Sequence, residues 1–466
     1  MVYVRTCAYN AEKTLVRTIE SILNQTHKDF LYYLLDNGST DETREIIRSY
    51  AKKDKRIVPF YSERNHDYTE STEFWNLFYD LQEGDYLCSL DADDAYGATF
   101  LEDMLQFSRE NELDIAMCGT VFMEADSWQP CGERVLHENV VIGDRESFDD
   151  FFPVIYWNLR QTWGKLYSAK AARMPYMINK PEWYPRAYGG DTINTFEAVK
   201  LSSRIGVLAK PLHYYAISSN SVSHRWVEGR EKSDSILFKK AEELLLEKCG
   251  VVSPRNLDFI YSVYFNALND TFRTLFHSEA AAEKKINVTK DIFFHPITQK
   301  MFHRIIGVPN EERIDFFVNV VINLLNLWQD VSESSFTVLA EIFADINPDF
   351  KQLVTKESFA WYMENNPVIM RNVVLREYEY AVNNLIVYLN KKDVQPSGDF
   401  PYILGQQLAA VRNEEEKYVY FSKHLIRWYI LNNRRERAQE ELNEWLQMLP
   451  EDEDLKALQR LYNKNQ

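Results

Sequence analysis

Short apolar runs alternate with amphipathic stretches from the start of the chain to Asp94, and few folds accommodate that order. Residues 1–7, 30–35, 56–61 and 86–90 read as strands. Between them, 12–24 places Leu15, Ile19, Ile22 and Leu23 at helical spacing, and 41–52 and 71–81 are the next helices. Ser39 or Thr40 stands where it can cap the second of these. A βαβαβαβ succession builds a mostly parallel sheet with helices on its faces. Such sheets take their ligands at the carboxyl ends of the strands. Asp36 and Asp91 each close a strand, so the alternation alone sets both on one rim.

The sharpest local signal lies at the fourth strand. In Tyr86-Leu87-Cys88-Ser89-Leu90-Asp91-Ala92-Asp93-Asp94 an apolar run breaks into three carboxylates. Burying an unpaired charge is costly, so these acids belong past the strand, at the mouth of a cleft. Carboxylates crowded there repel one another unless a cation sits between them. A hard divalent ion such as Mg²⁺ or Mn²⁺ suits oxygen donors and can carry a substrate diphosphate. A solvated acidic turn is the competing reading of a lone D-x-D-D.

At 466 residues the chain exceeds one ordinary domain, and two or three are expected. A net charge of −17 argues against general nucleic-acid binding, which needs phosphate-neutralising Lys and Arg. The five cysteines (Cys7, Cys88, Cys118, Cys131, Cys249) are scattered without C-x-x-C spacing, which points away from disulfides and structural zinc and towards a cytoplasmic setting. No secretory leader is visible, and the longest apolar stretch, 316–328, is interrupted by asparagines and too short to span a bilayer. Membrane contact is therefore expected only as a peripheral one, at the inner face.

Taken together, Cys7-Ala8-Tyr9-Asn10-Ala11-Glu12-Lys13, Leu35-Asp36-Asn37-Gly38-Ser39-Thr40-Asp41, Gly84-Asp85-Tyr86 and Leu90-Asp91-Ala92-Asp93-Asp94 resemble the family 2 glycosyltransferases of the GT-A fold. The resemblance continues more weakly through Trp163-Gly164-Lys165-Leu166-Tyr167, Gly190-Asp191, Leu212-His213-Tyr214-Tyr215 and Ser221-Val222-Ser223. It implies an inverting transfer of a sugar from a nucleotide diphosphate, UDP foremost, to a glycan or lipid-linked acceptor, of the kind used in polysaccharide assembly. By the same resemblance Asp93 is a metal ligand and His224 a candidate for a further one, with a surface histidine its plainer reading. Asp91 and Asp94 support the metal or donor, Asp36 contacts the nucleobase with Tyr9 and Asn10 nearby, and Asp191 is the base. The family's Arg-Asn pair falls at Trp75-Asn76, so Asn76 is retained and a cation is missing; Arg64 is one substitute. Capping of a following helix is the plainer role for Asp191. Trp163 and Trp183 are acceptor-side candidates beside the simpler reading of core aromatics. Lys165 is either an acceptor or diphosphate contact or a surface lysine.

The remainder of the first domain, 1–225, carries a helix over 99–111, strands over 113–121 and 133–142, and a helix over 147–152. From 226 to 466 helical patterns run nearly end to end, with a break near 392–400 and a faint suggestion of stacked helical pairs over 418–461. This all-helical region suits a protein partner, a membrane surface, a homodimer contact or simple packing. Two other functions compete: a phosphatase or phosphotransferase of the haloacid dehalogenase type, with Asp91 as nucleophile, and a degenerate GT-A domain that only binds.

Overall fold

The computed structural model describes residues 1–65, 72–175, 180–185, 187–217, 225–302, 331–346, 355–358, 360, 419, 422–423, 426, 429–430 and 435–464, with 316, 320, 323–324 and 327. Strands β1 (Val2–Ala8), β2 (Phe30–Asp36), β3 (Ile57–Tyr61) and β4 (Tyr86–Ser89) pair in the order β3-β2-β1-β4, all parallel. Helices α1 (Leu15–Leu23), α2 (Thr43–Lys53) and α3 (Thr72–Asp80) connect them. The apolar face of α1 explains its position. Leu15, Ile19 and Ile22 are fully buried in one core with Val2, Val4 and Tyr32, and each such aliphatic side chain stabilises the fold by about 1.5–3 kcal/mol.

Beyond β4 the sheet continues through β9 (Lys165–Ser168), β6 (Ile115–Glu124) and β10 (Ile205–Ile217) to β5 (Ala95–Tyr96). β9 is antiparallel to both its neighbours, so β6 and β10 again run with the first four strands. The α/β sheet is thus present as a mixed one: six strands run the same way, β9 is reversed inside the sheet, and β5 is reversed beside β10. Helix α4 (Phe100–Glu110) buries Phe100, Leu101 and Met104 against it.

Local departures from the sequence expectations have physical causes. The single strand over 133–142 is two: β7 (Pro130–Arg134) pairs with β6, and β8 (Val140–Ile142) pairs with β10. Asn139 accepts a hydrogen bond from the Ala209 amide between them. The helix over 147–152 is α5 (Arg145–Leu159), opened by a reciprocal Asp144–Ser147 capping box. It continues through Pro153, where a proline ordinarily ends a helix. Helix α2 starts after Asp41, whose carboxylate accepts from the Thr43 and Glu12 amides instead of entering the helix; neither Ser39 nor Thr40 caps it.

Helices α6 (Gly190–Leu201), α7 (Arg230–Cys249) and α8 (Pro254–Phe276) follow. The chain divides into two compact units, Met1–Tyr264 and Phe265–Gln466, so the division falls within α8, later than the 225/226 boundary read from the sequence. In the second unit α8 is followed by α9 (Ala282–Phe293), α10 (Pro296–Phe302) and α11 (Glu333–Ile346). Phe265, Phe272, Phe293 and Phe316 form its aromatic core. Near its end α12 (Arg435–Met448) and α13 (Glu453–Lys464) share Leu442, Trp445, Leu455 and Leu458 as a second core. The described residues after 225 are helical wherever they form regular structure. Among the described residues no helix is long and apolar enough to cross a membrane. The break near 392–400 lies outside the described residues.

Candidate active site

The carboxyl ends of β1, β2 and β4 converge on one rim, as the alternation requires. The loops after β1 and β2 are sewn together there. Asn10, at φ +49°, donates its backbone N–H to Ser39 Oγ at 3.0 Å, and its Oδ1 accepts from the Thr40 amide at 2.9 Å. Asp36 is fully buried. Its Oδ2 accepts from Arg44 Nε at 2.6 Å and its Oδ1 from the Ser39 amide at 3.0 Å. Asp36 therefore holds the loop from beneath, while Tyr9, 47% exposed, stands at the surface of the rim. Gly38, at φ +77°, passes so close to the backbone of Arg64 that any Cβ would collide with it.

The acidic corner is built from main-chain contacts that leave two carboxylates over. Thr14 Oγ1 and Thr18 Oγ1 of α1 donate to the Ala92 carbonyl at 2.9 and 3.0 Å, and Thr18 Oγ1 also to that of Asp94. Arg17 Nη2 donates to the Asp93 carbonyl at 2.8 Å and lies over the Trp128 ring. The three acids then part company. Asp94 is fully buried: Oδ1 accepts from the Ala216 amide at 2.8 Å, and Oδ2 lies 3.1 Å from His213 Nε2. Its carboxylate is used inside the fold, which removes it from the solvent-facing set that the sequence suggests. Asp91 and Asp93 show surface to solvent and make no ion pair among the described residues. Crowding by protein, then the charges of Asp94, Asp191 and Asp93, push the Asp91 carboxyl well above the ordinary range. Burial likewise raises Asp93. Water reaching both exposed carboxylates moderates these shifts.

Later segments supply the remaining residues near the acids. Gly189 takes φ +93° and starts α6, presenting Asp191 in the first turn with its surface open to solvent. Protein crowding raises the Asp191 carboxyl, opposed by the charges of Lys165, Arg5 and Lys180. Lys165 is not a surface residue: it is 1% exposed, its Nζ donates to the Gln161 and Trp163 carbonyls, and burial together with Arg134 lowers it to about 7. Trp163 stacks on His213 at 4.2 Å and on Tyr215 at 5.0 Å between ring centroids. Trp183 carries Lys240 Nζ 4.3 Å from its ring centroid.

The fold thus brings Asp93 and Asp191 each within electrostatic reach of Asp91 and sets Tyr9 and Asn10 on the neighbouring loop. Asn76 is exposed on α3, whereas Trp75 is buried. His224 lies outside the described residues. Sequence reasoning missed Arg5, His213 and Arg134. An arginine amid the apolar residues of a central strand was the available signal for Arg5; the other two acquire meaning only from cross-strand neighbours. Among the described residues no group of three His, Cys, Asp or Glu side chains is arranged to hold a metal alone. Two unpaired carboxylates do fit an ion whose remaining ligands are water and substrate phosphates, the usual manner for Mg²⁺.

Comparison with known proteins bears on this arrangement. Residues 3–165 match the family model described as glycosyl transferase family 2. Over 126 residues the chain is 32% identical to the putative teichuronic acid biosynthesis glycosyltransferase TuaG of Bacillus subtilis, covering 27% of this chain and 49% of that protein. It is 27% identical over 235 residues to glycosyltransferase GlyA of Streptococcus pneumoniae, covering 47% of this chain and 31% of that protein. The chain thus spans less than half the length of these two relatives. Among solved structures, S. aureus TarS 1–349 in complex with UDP-GlcNAc matches at 15% identity with a TM-score of 0.41, over 84% of this chain and 91% of that one.

Proposed function

We propose, from the premise that this chain is a family 2 glycosyltransferase through residues 3–165, that it moves a sugar from a nucleotide diphosphate to an acceptor hydroxyl with inversion. The observation that carries this reading is that the carboxylates of Asp91 and Asp93, open to solvent and without an ion pair among the described residues, lie close enough to the separate carboxylate of Asp191 for it to act on Asp91. A UDP-sugar is the first donor to test, and a glycan or lipid-linked hydroxyl the acceptor class.

Asp91 and Asp93 are the groups that would hold a divalent cation, Mg²⁺ or Mn²⁺. Such an ion supplies charge neutralisation for a leaving diphosphate. Tyr9 and Asn10 border the nucleotide end, on the loop after β1, which Asn10 ties to the loop after β2 that Asp36 holds. Asp191 takes the proton of the acceptor hydroxyl as its oxygen attacks the anomeric carbon. The bond from that carbon to the diphosphate breaks, and its electron pair leaves with the diphosphate. One displacement without a covalent intermediate inverts the centre. A carboxyl raised above its ordinary value is a better proton acceptor near neutral pH.

The test is a panel of nucleotide sugars incubated with the full chain and Mn²⁺ or Mg²⁺, read as nucleotide release. One donor is expected to be hydrolysed slowly in a metal-dependent way, and its nucleotide to raise the melting temperature by ligand linkage. Absence of both effects with every donor overturns the reading. Nucleotide binding without release, in the presence of acceptors, favours the binding-only alternative.

A further inference from the structure

We propose that Arg134 is the centre of a subsite for a two-oxygen anion, a carboxylate or a phosphoryl group, borne by the acceptor. The word acceptor rests on the transfer function proposed above; the anion subsite itself does not. Arg134 closes β7 opposite Thr120 of β6, and Thr120 stands opposite His213 of β10. Residues in register across neighbouring strands share a face, so Arg134, Thr120 and His213 lie on one side of the sheet. The guanidinium carbon is 5.7 Å from the Phe122 ring centroid and 6.0 Å from that of Trp163, the indole stacked on His213.

The state of that guanidinium singles it out. Nε and Nη2 are both buried and donate to nothing. They are the adjacent donors along one edge, the edge that meets carboxylate or phosphate with two parallel hydrogen bonds. Its charged surroundings are of its own sign: Arg160 acts against its charge, and Arg134 in turn against that of buried Lys165. Burial and Arg160 lower Arg134 to about 10. Arginines kept for structure are paired, because a buried unpaired charge is strongly destabilising. Aromatic faces offset part of that penalty but leave both donors unused. A two-oxygen anion satisfies the pair and neutralises the cluster together. The rest of the side chain is partly open to solvent. Donor and anion occupy different parts of the sheet. The rim proposed for the nucleotide lies at β1, β2 and β4, whereas Arg134 lies beyond β6 and its charge acts on Lys165, which in turn acts on Asp191.

The experiment titrates the full chain, saturated with UDP and Mn²⁺, with glycerol 1-phosphate, D-glucuronate and uncharged glucose by calorimetry. One of the two anions is expected to bind in the presence of UDP while glucose does not, and the anion that binds identifies the chemistry of the acceptor. Arg134→Met is expected to weaken that binding at least tenfold, and Arg134→Lys, which keeps the charge but not the fork, to weaken it less. UDP affinity in both variants stays within twofold of the parent, which also reports an intact fold. Equal anion binding by Arg134→Met, displacement of the anion by UDP, or binding of neither anion would overturn the proposal. Loss of sugar transfer by the parent with anion binding intact would sink the transfer function and leave the subsite standing.

Discussion

The guanidinium carbon of Arg5 lies 4.3 Å from the centroid of the Trp75 ring. Trp75 stands where the family resemblance expects a cation, and β1 supplies one against its face. Arg5 is buried, donates from Nη2 to Ser89 Oγ at 3.1 Å, and is also 5.5 Å from the Phe74 centroid. Its charge opposes the upward shifts of both Asp91 and Asp191.

Replacing Arg5 by Met keeps much of the stem and removes that opposition. Asp91 and Asp191 then rise further, so the acid limb of the kcat/KM profile moves to higher pH. The loss of a desolvated cation–π contact costs about 2 kcal/mol. A profile of kcat/KM against pH checks the first point and urea unfolding the second. An acid limb that stays in place removes Arg5 from its positioning role.

Asp93 and Asp94 are adjacent and are expected to respond in opposite senses. Asp93 is an open carboxylate with a raised pKa, and Asp94 is a buried one bound to the Ala216 amide and His213. Asp93→Asn removes a repelling charge, so the metal-free protein melts at a higher temperature while Mn²⁺ no longer shifts it, and transfer falls by roughly 10²-fold or more. Asp94→Ala leaves the buried Ala216 amide and His213 Nε2 without their partner and lowers stability by about 1–3 kcal/mol. Melting curves with and without Mn²⁺ separate the two. A lower melting temperature for metal-free Asp93→Asn would contradict this division of roles.

Lys165 gives the chain a pH signature. Its folded value of about 7 lies below its ordinary 10.5, so between those values the unfolded chain holds a proton that the folded one does not. Stability from this group therefore rises with pH from about 7 to 10 and is absent below that window. Buried thiols such as Cys118, raised to about 12, act in the opposite sense above pH 9, so a difference measurement is needed. The gap in unfolding free energy between the parent and Lys165→Met is expected to shift in the parent's favour between pH 7 and pH 9. A gap independent of pH would show that Lys165 stays charged.

Much of this was legible before any coordinates. Short apolar runs and helical spacing located β1 to β4 and their helices because both signals are short-range in origin, and an apolar strand running into acids singled out Asp91, Asp93 and Asp94 together. What was not legible depends on partners distant in sequence. Nothing local separates Asp94 from Asp93; the partition is made by His213 and Ala216, on a strand that pairs with β5 and β6. For Lys165 the sequence left a surface lysine and a contact to acceptor or diphosphate side by side, because its burial comes from β4 and β6 closing over β9. Asp36 kept its place at the strand end, but Arg44 and Ser39 occupy the carboxylate that the resemblance assigns to a nucleobase.

Gly38 offers a test of how far the rim loop governs nucleotide binding. At φ +77° an L side chain is strained by about 1–3 kcal/mol. A Cβ there would also stand 2.1 Å from the carbonyl carbon of Arg64, a backbone atom that cannot swing aside. Gly38→Ala must therefore part the loop after β2 from the segment at 62–65, where Asn37 Nδ2 donates to Asn65 Oδ1 and Arg44 reaches the Ser62 carbonyl. The Ser39 and Thr40 contacts to Asn10 move with it. Gly84 is the matched control, since it has φ +88° and nothing within 4 Å of the added carbon. Gly84→Ala is expected to lose stability through backbone strain alone and to bind UDP as the parent does. Gly38→Ala is expected to lose more stability and to bind UDP at least tenfold more weakly. Calorimetric titration of both variants decides it, because equal UDP affinities would separate this loop from the nucleotide site.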